Sequence, residues 1–289
     1  MKMEMKMEPM TIPVVRGHLG ALGSGGDDKT LCEPLHPALM TNLGLDNPVP
    51  KGDGFDPFGS WRICYRIWGN HGWTWFQNKN MGHLEIIRCP AENDIRFEVR
   101  QVIVNTDGMF QVVEAELRCC PDHLASLIDW SARTTCYDFA QCPMPELSMR
   151  TEGRVEKNQV ILSVNGRPRQ APLAKGPLVS QWTIVDLLQR GNQACGPDFT
   201  ALEHDRKLKP GHRLEISHVI SPERTANGLL QPFLQLGSGM LPWEYWRDSH
   251  QRILYAFSGS VMLALDEEAP RKTAKLIEEL VQGGHHYEY

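Results

Sequence analysis

Hydrophobic and polar positions alternate along much of this chain, with a period of two and frequent interruption by turn residues. The alternation is clearest from 61 to 117. Over 61–68, Trp61, Ile63, Tyr65 and Ile67 fall on one face and Arg62, Cys64, Arg66 and Trp68 on the other. A turn at 70–72 leads into 73–76, and a second turn at 78–82 leads into 83–88. Next, Ile95, Phe97 and Val99 alternate with Arg96, Glu98 and Arg100, and Asp107-Gly108 turns the chain into 110–118. A run with one greasy and one wet side predicts strands of an antiparallel sheet with one face on a core.

Beyond 118 the pattern is mixed. Pro121 opens an expected short helical turn with Leu124, Leu127, Ile128 and Trp130 on its apolar side. A second β section starts near 149, and Asn165-Gly166 marks a hairpin. Trp182, Ile184, Val185, Leu187 and Leu188 form a broad stripe that predicts a central helix over about 179–190. Ser180 is its expected cap, Arg190 suits its carboxyl end, and Gly191 is expected to end it in a left-handed conformation. Further strands are predicted at 213–219, 229–236, 243–248, 252–257 and 261–265, then a C-terminal helix over about 270–282.

These elements predict a mainly β fold of the β-rich α+β kind: a curved antiparallel sheet or half-barrel packed on one central helix, with a helix at the C-terminal end. Residues 1–58, with clustered glycines and then five prolines from Pro34 to Pro57, read as a flexible or strap-like lead-in. Residues 59–289 read as one β-rich domain.

Composition narrows the function classes. A net charge of −5 argues against non-specific nucleic-acid binding, which needs a basic surface. No apolar run approaches the ~18 residues of a transmembrane helix. The first ten residues alternate Met with Lys and Glu and lack an apolar export segment, so the chain as encoded reads as soluble and cytoplasmic, or periplasmic if its true start differs. Eight cysteines in 289 residues are too sparse for a disulfide scaffold, and Cys136 with Cys142 is the one plausible local pair.

Candidate chemistry is thin. Gly237-Ser238-Gly239 lacks the following helix that a phosphate loop requires. His83 with Glu85, and His285 with His286, do not extend into the three or four ligands a metal needs, so no metal or cofactor is expected. His218 shares a strand face with Leu214 and Ile216 and is the one weak catalytic candidate, as a proton-transfer imidazole. Aromatic residues are the sharper signal, because they line apolar ligand grooves as well as cores. Trp68, Trp73, Trp75, Trp243 and Tyr245, together with His218, are the ligand-binding candidates. Trp243 and Trp246 differ in parity, so a regular strand sends them to opposite faces.

The first meander, the 179–190 helix and the strand Trp243-Glu-Tyr-Trp-Arg-Asp248 turning into 252–257 together resemble the layout of bacterial lipoprotein carriers of the LolA-like type. The resemblance spans roughly 60–265. It implies a curved sheet around helices, an apolar or lipid ligand and a periplasmic location. The expected function is therefore non-enzymatic binding of an apolar or amphipathic small molecule or lipid in a groove between sheet and helix. Two alternatives stand beside it: a lyase- or isomerase-type enzyme working by proton transfer in a β cavity, and an interaction module docking through the C-terminal helix.

Overall fold

A computed structural model of the chain describes residues 54–71, 77–105, 108–138, 140–173, 176–191, 198–217, 220–225, 228–259 and 261–282, without the side chains of 70, 71 and 77–79. Among these, sixteen strands form one continuous sheet. In chain order they are β1 (Trp61–His71), β2 (Gln77–Pro90), β3 (Ile95–Val104), β4 (Phe110–Cys119), β5 (Leu127–Tyr137), β6 (Met149–Glu156), β7 (Gln159–Val164), β8 (Arg167–Pro172), β9 (Leu178–Ser180), β10 (Phe199–Glu203), β11 (Lys207–Ile216), β12 (Glu223–Thr225), β13 (Gly228–Leu236), β14 (Trp243–Arg247), β15 (Ile253–Ser258) and β16 (Val261–Leu265). Two α-helices accompany them, α1 (Ile184–Arg190) and α2 (Ala269–Gln282). The fold is mainly β, as the alternation predicts.

Strands β1 to β8 are joined as successive antiparallel neighbours, and β16 returns to pair with β1. From there the sheet runs back through β15, β14, β13, β11 and β10 to β9, with β12 paired to β13 off this path. Every pairing is antiparallel except β9 with β10. The sheet is open, with β8 and β9 at its ends. Curling brings one half over the other without a closing ladder among the described residues. The Trp130 indole on β5 donates to the carbonyl of Asp205, in the turn between β10 and β11, at 2.9 Å.

The inner face is apolar because the sequence alternates. Trp61, Ile63, Tyr65 and Ile67 of β1 join Phe97, Val99, Leu117, Trp130 and Leu162 in one cluster with Trp182, Ile184, Val185, Leu187 and Leu188. The helix thus fills the concave side of the sheet. The outer face is covered locally. Leu276, Ile277 and Leu280 of α2 lie over Val102, Val104, Phe110, Val112 and Tyr137. The Asp266 side chain accepts from the Glu268 amide at the start of α2, and its second oxygen accepts from Lys272.

Three local expectations are corrected. The central helix begins at Ile184, not near 179; Leu178–Ser180 is a buried strand beside β10, followed by a turn in which Thr183 Oγ1 donates to the Ser180 carbonyl. Gly191 has φ −108° and ψ 136°, which is extended and not left-handed. The segment after Pro121 is a turn organised by Asp122, whose carboxylate accepts from the Leu124 and Ser126 amides. Leu127 and Trp130 then point inward from a strand.

Candidate functional site

The polar side of α1 is sealed inside the curl. Asp186 and Gln189 are fully buried, on a helix whose other buried side chains are aliphatic. The Arg88 Nε of β2 donates to one Asp186 oxygen at 2.7 Å, and Arg190 Nε, one turn along the helix, donates to the other at 2.7 Å. Burial pushes the Asp186 carboxyl above its usual range, while Arg190 and Arg88 pull the other way. The remaining guanidinium donors reach carbonyls: Arg88 to Phe58 at 2.5 Å and Gly59 at 2.6 Å, Arg190 to Asp122 at 2.9 Å. The carboxyl end of α1 is capped from outside the helix, by Arg247 of β14, which donates to the Leu188 carbonyl at 2.8 Å and to that of Gly191. Arg190, expected in that role from the sequence, turns back to Asp186.

A second buried polar set lies on β11, β13 and β14. The Tyr245 hydroxyl donates to Gln235 Oε1 at 3.0 Å, and Gln235 Nε2 donates to His212 Nδ1 at 3.3 Å. That assignment leaves the ring proton on Nε2, which is buried with no hydrogen-bond partner among the described residues. His212 has no solvent exposure, and burial lowers its pKa and raises that of Tyr245. Gly237 makes room for the ring: a Cβ there would stand 2.4 Å from three of its atoms. Nothing in the sequence around His212 distinguishes it; its partners come from two other strands.

Among the described residues, Trp68 lies apart from Trp243 and Tyr245. Trp73, Trp75 and His218 lie outside the described residues. Trp68 is buried in an outer-face cluster with Leu230, Trp246, Leu254, Tyr255, Phe257 and Met262, under the Arg66 guanidinium, 5.3 Å from the ring centroid. Trp243 and Tyr245 face the inner cluster, with ring centroids 6.0 Å apart, and Trp243 is partly exposed. Trp246 is on the opposite side.

Among the described residues, three of the open grooves on the surface are not lined by Trp68, Trp243 or Tyr245. Two of about 680 and 660 Å³ lie side by side on the outer face of β2–β7. Charged rows border them, including Arg100 with Glu114 and Arg118 with Asp129, and Glu98 and Glu116 stand directly opposite each other. The third, about 580 Å³, sits at the rim, where β5 begins, β6 turns into β7, and the chain crosses from β8 to β9. Leu127, Ile128, Val155, Leu173, Pro177 and Leu178 supply its aliphatic wall, with Cys120, Ser126, Asn158 and Gly176 completing it. Among the described residues Lys157 is its one charged lining residue, held in the β6–β7 turn with φ 55°.

Among the described residues no cluster of three or more His, Cys, Asp or Glu side chains is placed to hold a metal, and no helix is long and apolar enough to cross a membrane.

No family model matches the chain, and no curated protein matches it. Among solved structures it is similar to a β-barrel-like protein of a domain of unknown function, DUF1849, from Brucella abortus. Identity is 9%, the TM-score is 0.48, and the alignment covers 72% of this chain and 96% of that one.

Proposed function

We propose that this protein is a non-enzymatic binder of an amphipathic small molecule with an anionic head, such as a fatty acid or a lipid fragment, held in the rim groove. One observation carries the reading: that groove combines aliphatic side chains with Lys157, its one charged lining residue among the described residues. Its volume is within the range of small-molecule sites, and its lining is about equally polar and apolar, as suits an amphiphile. The acyl chain would lie against Ile128, Val155, Leu173 and Leu178, and the carboxylate against the Lys157 ammonium.

The proposal keeps the carrier-like layout only as a curved sheet around a helix, and it moves the ligand. Trp182, Ile184 and Leu188 occupy the concave side of the sheet, where the sequence reading places a ligand between sheet and helix. The proton-transfer reading draws no support from the described interior: His212, Gln235 and Tyr245 are closed off from solvent. Docking through α2 is likewise unsupported, because its apolar side already covers Val102, Val104 and Phe110.

Titration calorimetry with dodecanoate tests the proposal. Saturable binding is expected, weakened about five- to tenfold by Lys157→Glu, the scale of an exposed ion pair exchanged for a repulsion. Mass spectrometry of lipid extracts from gently purified protein should show a bound amphiphile. Absence of saturable binding, or equal binding by the Lys157→Glu variant, refutes it.

A further inference from the structure

The open sheet has one solvent-exposed end strand, β8, with the sequence Arg167-Pro-Arg-Gln-Ala-Pro172. Five of its six residues are exposed, and β7 is its one strand neighbour among the described residues. An edge of this kind offers a row of unpaired amides and carbonyls to any second strand, including the same edge of another copy. Whether it can accept one depends on which amides point outward.

The register and one hydrogen bond decide that phase. The Leu173 amide, one residue past β8, donates to the Asn158 carbonyl at 2.8 Å, so Leu173 and Asn158 form a hydrogen-bonded pair. In an antiparallel ladder such pairs alternate with pairs whose amides and carbonyls face away. Counting back through the register, Ala171 with Val160, Arg169 with Leu162 and Arg167 with Val164 turn their amides toward β7. Pro172, Gln170 and Pro168 turn theirs outward. The opposite side of β7 agrees, because the Asn165 amide donates to the Arg150 carbonyl of β6. Two of the three outward positions are therefore prolines, which have no N–H to give, and Gln170 holds the single outward amide.

We infer that Pro168 and Pro172 guard this edge against strand addition, so that a second copy of the chain cannot extend the sheet through β8. A partner strand needs alternating donors and acceptors in register; here it meets three carbonyls and one amide, and a pyrrolidine ring at each flanking position. Arg167 and Arg169 add like charge that a second copy's β8 would have to approach. The prolines cost the ladder to β7 nothing, since they sit only where no bond to β7 is made. The open architecture needs such a guard because no closing ladder among the described residues hides the edge.

Backbone amide exchange on the unaltered protein tests the geometry. The Ala171 and Arg169 amides should be protected, and Gln170 should exchange at close to the rate of an unprotected residue; a protected Gln170 would mean the edge is already paired and would overturn the inference. Light scattering then tests the consequence. The variant Pro168→Thr/Pro172→Thr should show a concentration-dependent rise in mass over the unaltered protein, and adding Gln170→Pro to that variant should reduce the rise. An unchanged mass at every concentration for the double variant contradicts the inference, as does association that Gln170→Pro leaves intact.

Discussion

Arg88 and Asp186 are separated by 98 residues of sequence and meet at 2.7 Å, with both side chains cut off from water. This contact fixes α1 to β2 and so sets how the helix fills the curl. Burying an ion pair brings little net stability against an apolar substitute, but removing one partner strands the other charge. Asp186→Asn should therefore cost about 3–5 kcal/mol in urea unfolding. Removing the exposed Arg118–Asp129 pair by Arg118→Gln should cost far less, because solvent screens it. Equal losses from the two variants would show that the buried pair does not anchor the helix.

Gly153 lies under the Trp130 indole, where an added Cβ would stand 2.1 Å from the ring. Gly153→Ala should destabilise the protein by about 1–3 kcal/mol, as overpacking does. Trp130→Leu makes room for the methyl group but loses the hydrogen bond to the Asp205 carbonyl. A double-mutant cycle should give a coupling energy well above zero between these two positions. Additive losses would mean that the contact yields without strain.

Two buried titrating groups give pH effects of opposite sign. Burial raises Asp205 to about 6, so between that value and the unfolded value near 3.9 the folded state holds the extra proton and stability falls as pH rises. Asp205→Asn should therefore stabilise the protein above pH 6 and have little effect below pH 4. Burial, followed by Arg100, lowers His83 to about 4, so between pH 4 and 6.5 the unfolded state binds the extra proton and stability rises with pH. His83→Gln should remove that rise. Urea midpoints of both variants from pH 4 to 7.5 check the signs, and a profile unchanged by either substitution contradicts the assignment.

Much of the sheet is readable from alternation, and its failures have specific causes. β1, β3 and β4 announce themselves because one face is apolar and the other charged; Ile95, Phe97 and Val99 are buried while Arg96, Glu98 and Arg100 are exposed. Asn165 and Gly166 both have positive φ, which is the geometry a two-residue hairpin of that sequence requires. β5 is hidden because Leu124, Leu127, Ile128 and Trp130 happen to recur at helical spacing, while the Asp122 side chain satisfies the amides of a turn. β9 is hidden because Val179 continues the apolar run of α1 across a turn. The rim groove could not be read at all. Its walls come from three turns and crossings that only the folded sheet brings together, and Lys157 in isolation is an ordinary turn lysine.

The most direct test of where a ligand sits is photo-crosslinking with a diazirine-bearing fatty acid, followed by peptide mass spectrometry. If the groove between the β6–β7 turn and the β8–β9 crossing is the site, adducts should fall on residues 126–128, 155, 157, 158, 173 and 176–178, and Lys157→Glu should diminish them. Adducts concentrated on α1, or around Trp68 and Trp243, with none at the rim, would contradict the account.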